Sequence, residues 1–138
     1  MSEQANWKNS SLDDIWGDLI ASILAVNNRS LEKTYALLPL LRRAGVVEAV
    51  NLTHWEGEEV TVRLKAAGFD QGDFMTGLFA RRLVSLGGAL RSRGVAACRE
   101  ILLSNDPDAI RNLLLPVNGI GPKVMSNFFL LRGIRERE

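Results

Sequence analysis

Apolar residues return at helical spacing along almost the whole chain, and that periodicity limits the fold more than any other feature. Leu12, Ile15, Trp16, Leu19, Ile20, Ile23 and Leu24 fall on one stripe that ends near Val26, behind Ser11 placed as an N-cap with Asp14 as its acidic partner. Ser30 opens a second stripe of Leu31, Thr34, Tyr35, Leu38 and Leu41, which Pro39 kinks or shortens and Gly45 closes. After a short turn over residues 46–51, Thr53 and Glu56 match a capping box for a helix that runs to the stop at Ala66, Ala67 and Gly68. Phe74, Leu78, Phe79, Leu83, Leu86 and Leu90 make the next stripe, with arginines on the other side. Gly94 separates off a short helix over residues 95–103, and Asp106 with Pro107 starts another through Ile110 and Leu114. Residues 60–64, VTVRL, alternate as a strand would, for too short a span to outweigh their helical neighbours. The expectation is an all-α chain forming a single domain over residues 1–138.

One interruption stands out. Residues 115–133, LPVNGIGPKVMSNFFLLRG, set two glycines, a proline and a lysine between apolar stretches. Gly119 and Gly121 can take backbone angles or close approaches forbidden to a residue with a Cβ. Pro122 suits the first position of a new helix, where its missing N–H would have had no partner. The expected result is helix, hairpin, helix, with backbone N–H groups exposed at the positive end of a helix dipole. That arrangement cradles a phosphate, and Lys123 adds a positive charge or a nucleophilic amine.

Composition narrows the function classes. With 46% hydrophobic and 24% charged residues the chain has a globular balance, and no apolar run approaches the roughly 20 residues that span a bilayer. The N-terminus lacks a basic segment followed by an apolar core, so no secretory signal and a cytoplasmic address are expected. Cys98, the only cysteine, excludes an internal disulfide and cannot by itself hold zinc or an iron–sulfur cluster; it reads as a small buried hydrophobe. His54 has no second ligand near it in THWEGEE, so neither metal nor catalytic work is assigned to it. Trp7, Trp16 and Trp55 could stack on a base, although Trp16 sits on an apolar stripe. The 17 Lys plus Arg nearly balance 16 Asp plus Glu, without bulk basicity. Yet Arg81, Arg82, Arg91, Arg93 and Arg99 share their segment with one acid, Glu100, whereas Glu48, Glu56, Glu58 and Glu59 share theirs with no base. The basic segment points weakly to an anion.

Three stretches resemble one family, the helix-hairpin-helix base-excision DNA glycosylases typified by endonuclease III. LLPVNGIGPKVMSNFFL is similar to that family's apolar-x-x-G-(I or V)-G-x-K hairpin and the helix after it. LIASILAVNNRSLEKTYALLPLL resembles its early helix and flipped-base loop, and LKAAGFDQGDFMTGLFARRLVSL its glycine–apolar turn with a basic helix. The resemblance covers residues 12–133 and implies a helical bundle of the six-helix-barrel type. It implies a hairpin that clamps phosphates of duplex DNA, and a damaged nucleotide rotated out of the stack. Position by position, Gly119 and Gly121 fall in the clamp, and Lys123 matches the lysine that forms a Schiff base with the sugar. Asn27 matches the polar residue that fills the gap left by the base, and Phe69 lies near the apolar wedge. The backbone carbonyls of Leu115, Val117 and Ile120 match those that hold a monovalent cation.

The departures concern chemistry. The aspartate that those enzymes carry downstream of the lysine has no counterpart before Glu138, unless Glu136 or Glu138 replaces it, and the cysteine-rich iron–sulfur region is absent. Asp73 stands where a basic residue would assist DNA contact. Two readings therefore stay open, a DNA-repair glycosylase or abasic-site lyase that uses Lys123 and a non-catalytic helix-hairpin-helix DNA-binding module, while the near-neutral net charge also allows a helical interaction domain that binds no nucleic acid. The lesion and the oligomeric state are not legible.

Overall fold

Asp14 caps the first helix: its carboxylate accepts the Trp16 N–H at 3.1 Å and holds the Arg42 guanidinium at 2.8 Å. The computed structural model describes residues 14–26 and 29–135, so Ser11 and Trp7 lie outside the described residues. Those residues form α1 (Ile15–Leu24), α2 (Leu31–Tyr35), α3 (Leu38–Arg43), α4 (Ala49–Leu52) and α5 (Gly57–Ala66). There follow α6 (Asp73–Arg93), α7 (Val95–Leu103), α8 (Pro107–Leu114) and α9 (Pro122–Arg132), with no strand among the described residues. The chain is all-α. VTVRL lies inside α5, where Val60 and Leu64, four residues apart, are buried while Val62 is exposed.

Local chemistry sets many of the boundaries. The Ser30 hydroxyl accepts the Lys33 N–H at 3.2 Å to start α2, and the Asp106 carboxylate accepts from Asp108 and Ala109 ahead of Pro107. Pro39 does more than kink one helix: the stripe divides into α2 and α3, with Pro39 in the first turn of α3, where its missing N–H is tolerated. Two expectations are corrected. The turn expected over 46–51 is kept at residues 46–47 and becomes the short helix α4 from Ala49. Thr53 and Glu56 do not form a capping box, because the Thr53 hydroxyl donates backwards to the Val50 carbonyl at 2.6 Å and Glu56 occupies the N-cap of α5 without a side-chain bond.

The core is organised by α6 and α1. The buried face of α6 runs through Thr76, Phe79, Ala80, Leu83, Leu86, Gly87 and Leu90, and the helix packs against α5, α4, α1 and α7. Phe74, expected on that stripe, is instead 75% exposed near the N-terminus of α6, ahead of the first buried turn. Every residue of α1 except Trp16 is buried. It packs against α9, and the contacts fix their direction: Asp18 pairs with Arg132 at 2.8 Å, while Asn127 donates to the carbonyls of Ser22 (3.2 Å) and Ala25 (3.0 Å). The helices are therefore antiparallel, and the start of α9 lies at the same end of the molecule as the end of α1. Among the described residues Phe69, Phe79, Phe128 and Phe129 are the largest fully buried side chains, each contributing about 1.5–3 kcal/mol of burial. No helix among the described residues is long and apolar enough to cross a membrane.

Candidate functional site

The connection between α8 and α9, residues 115–121, is built from backbone bonds. The Leu115 N–H donates to Arg111, that of Val117 to Leu114 and that of Ile120 to Val117, at 2.9–3.1 Å. Gly119 then takes φ +93°, a left-handed angle that disfavours any side chain, and a Cβ there would stand 2.4 Å from Arg82 Cγ. The turn thus rests on the aliphatic stem of an α6 arginine. Gly121 differs: it is extended at φ −122°, occupies the N-cap of α9 with no side-chain bond, and a Cβ would meet nothing within 4 Å. The space in front of α9 is consequently open.

Pro122 opens α9 and Lys123 follows it, exposed. The N–H groups of Gly119, Gly121, Lys123 and Val124 find no acceptor among the described residues, so the positive end of α9 faces outward with donors to spare. No described carboxylate lies within ion-pair distance of Lys123. The Val117 carbonyl already accepts the Ile120 N–H, while those of Leu115 and Ile120 accept none from the described backbone outside helices. No group of three or more His, Cys, Asp or Glu side chains among the described residues could hold a metal. Beside the turn, a groove of about 390 Å³ runs along α6, with Ser85, Ser92, Arg93, Asn112 and Asn118 in its wall.

Phe69, which the resemblance places near the apolar wedge, lies in the core. It is fully buried, edge-on to Phe79 with centroids 5.2 Å apart and ring planes at 88°, a favourable aromatic geometry. Its side chain belongs to the core because the chain leaving Gly68 turns it inward against α6. Asn27 lies outside the described residues; Arg29, two residues on, places its guanidinium 5.0 Å from the Phe69 centroid and donates from Nε to Thr34 at 2.9 Å. On the other side Arg82 covers the Phe79 ring, also at 5.0 Å. Arg29, Phe69, Phe79, Arg82 and Gly119 form a continuous line from the start of α2 to the turn. Sequence reasoning missed Arg29, and noticed Arg82 only as one of several arginines.

Other candidates fall into ordinary roles. Asp73 binds Lys65, and that hydrogen bond pulls the Asp73 carboxyl below its usual range and pushes the Lys65 amine up. His54 is exposed just ahead of α5. Trp16 is half-buried against the core, and Trp55 carries the Arg63 guanidinium 4.5 Å from its ring. Cys98 is buried, which pushes its thiol up. Glu56, Glu58 and Asp73 line a separate groove of about 560 Å³ with Arg81, so exposed acids and the open turn occupy different places. No protein-family model, curated protein or solved structure matches this chain.

Proposed function

We propose that the chain is a helix-hairpin-helix DNA-binding protein of the endonuclease III type, which grips phosphates of duplex DNA at the 115–121 turn and acts on abasic sites through Lys123. The observation that carries this reading is Gly121. The fold has room for a side chain there, yet the position bears none, beside N–H groups without acceptors and an exposed lysine. Such donors meet phosphate oxygens rather than base edges, so binding is indifferent to sequence and weakens with salt. The bundle is read as the six-helix-barrel type, and the carbonyls of Leu115, Val117 and Ile120 as ligands that would steady the turn around a monovalent cation.

At an abasic site the sugar opens to an aldehyde. The Lys123 amine, unprotonated, adds to C1′ and water leaves; in the resulting Schiff base a C2′ proton is lost to water, a C2′–C3′ double bond forms, and the C3′–O bond breaks to release the 3′ phosphate. Removal of an attached base needs stabilisation of positive charge developing on the sugar. Lys123 has no described carboxylate beside it, so excision of intact lesions is not part of the proposal. The same observation favours a second reading, a binding module without chemistry.

Borohydride trapping on duplex DNA with an abasic site separates the two. The expected result is a covalent adduct with the wild type, lost in Lys123→Gln while most duplex affinity remains. Duplex binding without any adduct leaves the module. Affinity that does not change between low and high salt defeats both.

A further inference from the structure

We propose that Arg29 and Arg82 form a second phosphate-binding row beside the turn, which takes the backbone of the DNA strand adjacent to the phosphate held at the start of α9. The proposal rests on the DNA-binding reading above and extends it to a surface that begins outside the turn. Each guanidinium is pinned to a different ring, Arg29 to Phe69 and Arg82 to Phe79, both at 5.0 Å, and the two rings are locked edge to face. Cations fixed at two separate points suit an anion whose charge repeats along a chain, rather than a single free phosphate. Arg82 also touches the turn itself through its stem at Gly119. Arg29 belongs to the same end of the molecule, because antiparallel packing of α1 on α9 brings the end of α1 level with the start of α9.

Among the arginines stacked on rings, Arg29, Arg63, Arg82 and Arg111, the charge pattern sets Arg29 and Arg82 apart. Arg42, Arg63, Arg111 and Arg132 each hold a carboxylate. Arg29 and Arg82 hold none among the described residues, and the Arg29 guanidinium donates to a neutral hydroxyl, that of Thr34. Burial lowers the Arg29 guanidinium from its ordinary value, which means that lost hydration has not been replaced by a counter-charge. An incoming phosphate restores it. Because stacking already restricts both side chains, less conformational freedom is lost on contact than for a solvated arginine.

Salt titration of duplex binding tests the row. Arg29→Gln and Arg82→Gln should each reduce the slope of log affinity against log salt by about 0.9, the double variant by about twice that, and Arg63→Gln, already paired with Glu59, by nothing. Folded variants that keep the wild-type slope overturn the proposal, as does an equal loss in Arg63→Gln. Should a glutamine variant fail to fold, phenylglyoxal modification of the wild type decides: duplex DNA should protect Arg29 and Arg82 and leave Arg63 unchanged. Equal modification of Arg29 and Arg82 with and without DNA overturns it. A wild type that binds no duplex removes the DNA-binding reading itself, whereas binding with unaltered Arg29 and Arg82 variants removes only the second row.

Discussion

The backbone of Gly87 lies against the carbonyl oxygen of Leu52, so close that a Cβ on Gly87 would stand 1.8 Å from it. The α4–α6 crossing is therefore made backbone to backbone, and neither partner atom can swing aside as a side chain could. Gly87→Ala should cost more than about 3 kcal/mol by forcing the helices apart. Gly88, next along α6, has nothing within 4 Å of its would-be Cβ. Gly88→Ala should stabilise by about 0.5–1 kcal/mol, the ordinary gain of removing a glycine from a helix interior. Urea denaturation of both variants checks the contrast, and equal effects at the two positions would sink it.

The two glycines of the turn should separate in the same way, with a functional consequence. Gly119→Ala combines a left-handed φ with a contact against Arg82 Cγ, and should lose about 1–3 kcal/mol of stability. Gly121→Ala, extended and uncrowded, should stay within about 0.5 kcal/mol of the wild type. Its methyl group projects into the space before α9, so its duplex affinity should fall although its stability does not. Denaturation and binding measured on the same samples give both readouts.

Asp18 and Arg132 tie the two antiparallel helices through a buried pair, Asp18 being 1% exposed. Arg132→Met leaves that carboxylate buried without its cation and should cost about 3–5 kcal/mol. Asp18→Leu combined with Arg132→Met should recover most of the loss, since a buried ion pair replaced by apolar groups is often neutral or better. A double variant as unstable as the single one contradicts this account.

Tyr35 is the chain's only tyrosine, so its ionisation can be followed directly by tyrosinate absorbance. Burial, and then the nearby Asp18 carboxylate, push its phenol above the ordinary value. Because the folded pKa is raised, this contribution to stability is fully present below the unfolded pKa of about 10 and is lost as pH climbs through the folded one. Native protein should titrate later than urea-unfolded protein, and Tyr35→Phe should flatten this part of the alkaline loss in a thermal melt. Coincident titration curves would refute the burial argument.

What was legible in the sequence was local. Ser30, Gly94 and the Asp106–Pro107 pair act on backbone groups within one turn of themselves, so their effect can be read without knowing what lies opposite. The start of α9 after Gly119 and Gly121 belongs to the same kind. Thr53 and Glu56 show the limit of local patterns: the right residues stand at the right spacing, but the hydroxyl finds Val50 first. Phe69 and Phe74 show another. Phe69 directly follows Gly68 and Phe74 stands two residues after Gly72, and only Phe79 and Arg29, brought in from separate helices or loops, decide that Phe69 goes inside. The Arg29 to Arg82 line escaped for the same reason, since its members meet only in the folded bundle.

The contact between Asn127 and the Ser22 carbonyl joins residues 105 positions apart. Loop closure over such a span is entropically demanding, and the contacts that reward it must wait for most of the chain. During synthesis α1 emerges before α9, with nine of its ten residues destined for burial while its partner is still to be translated. Until then α1 is an uncovered greasy rod, the kind of segment that holdase chaperones bind and that aggregates when they are scarce.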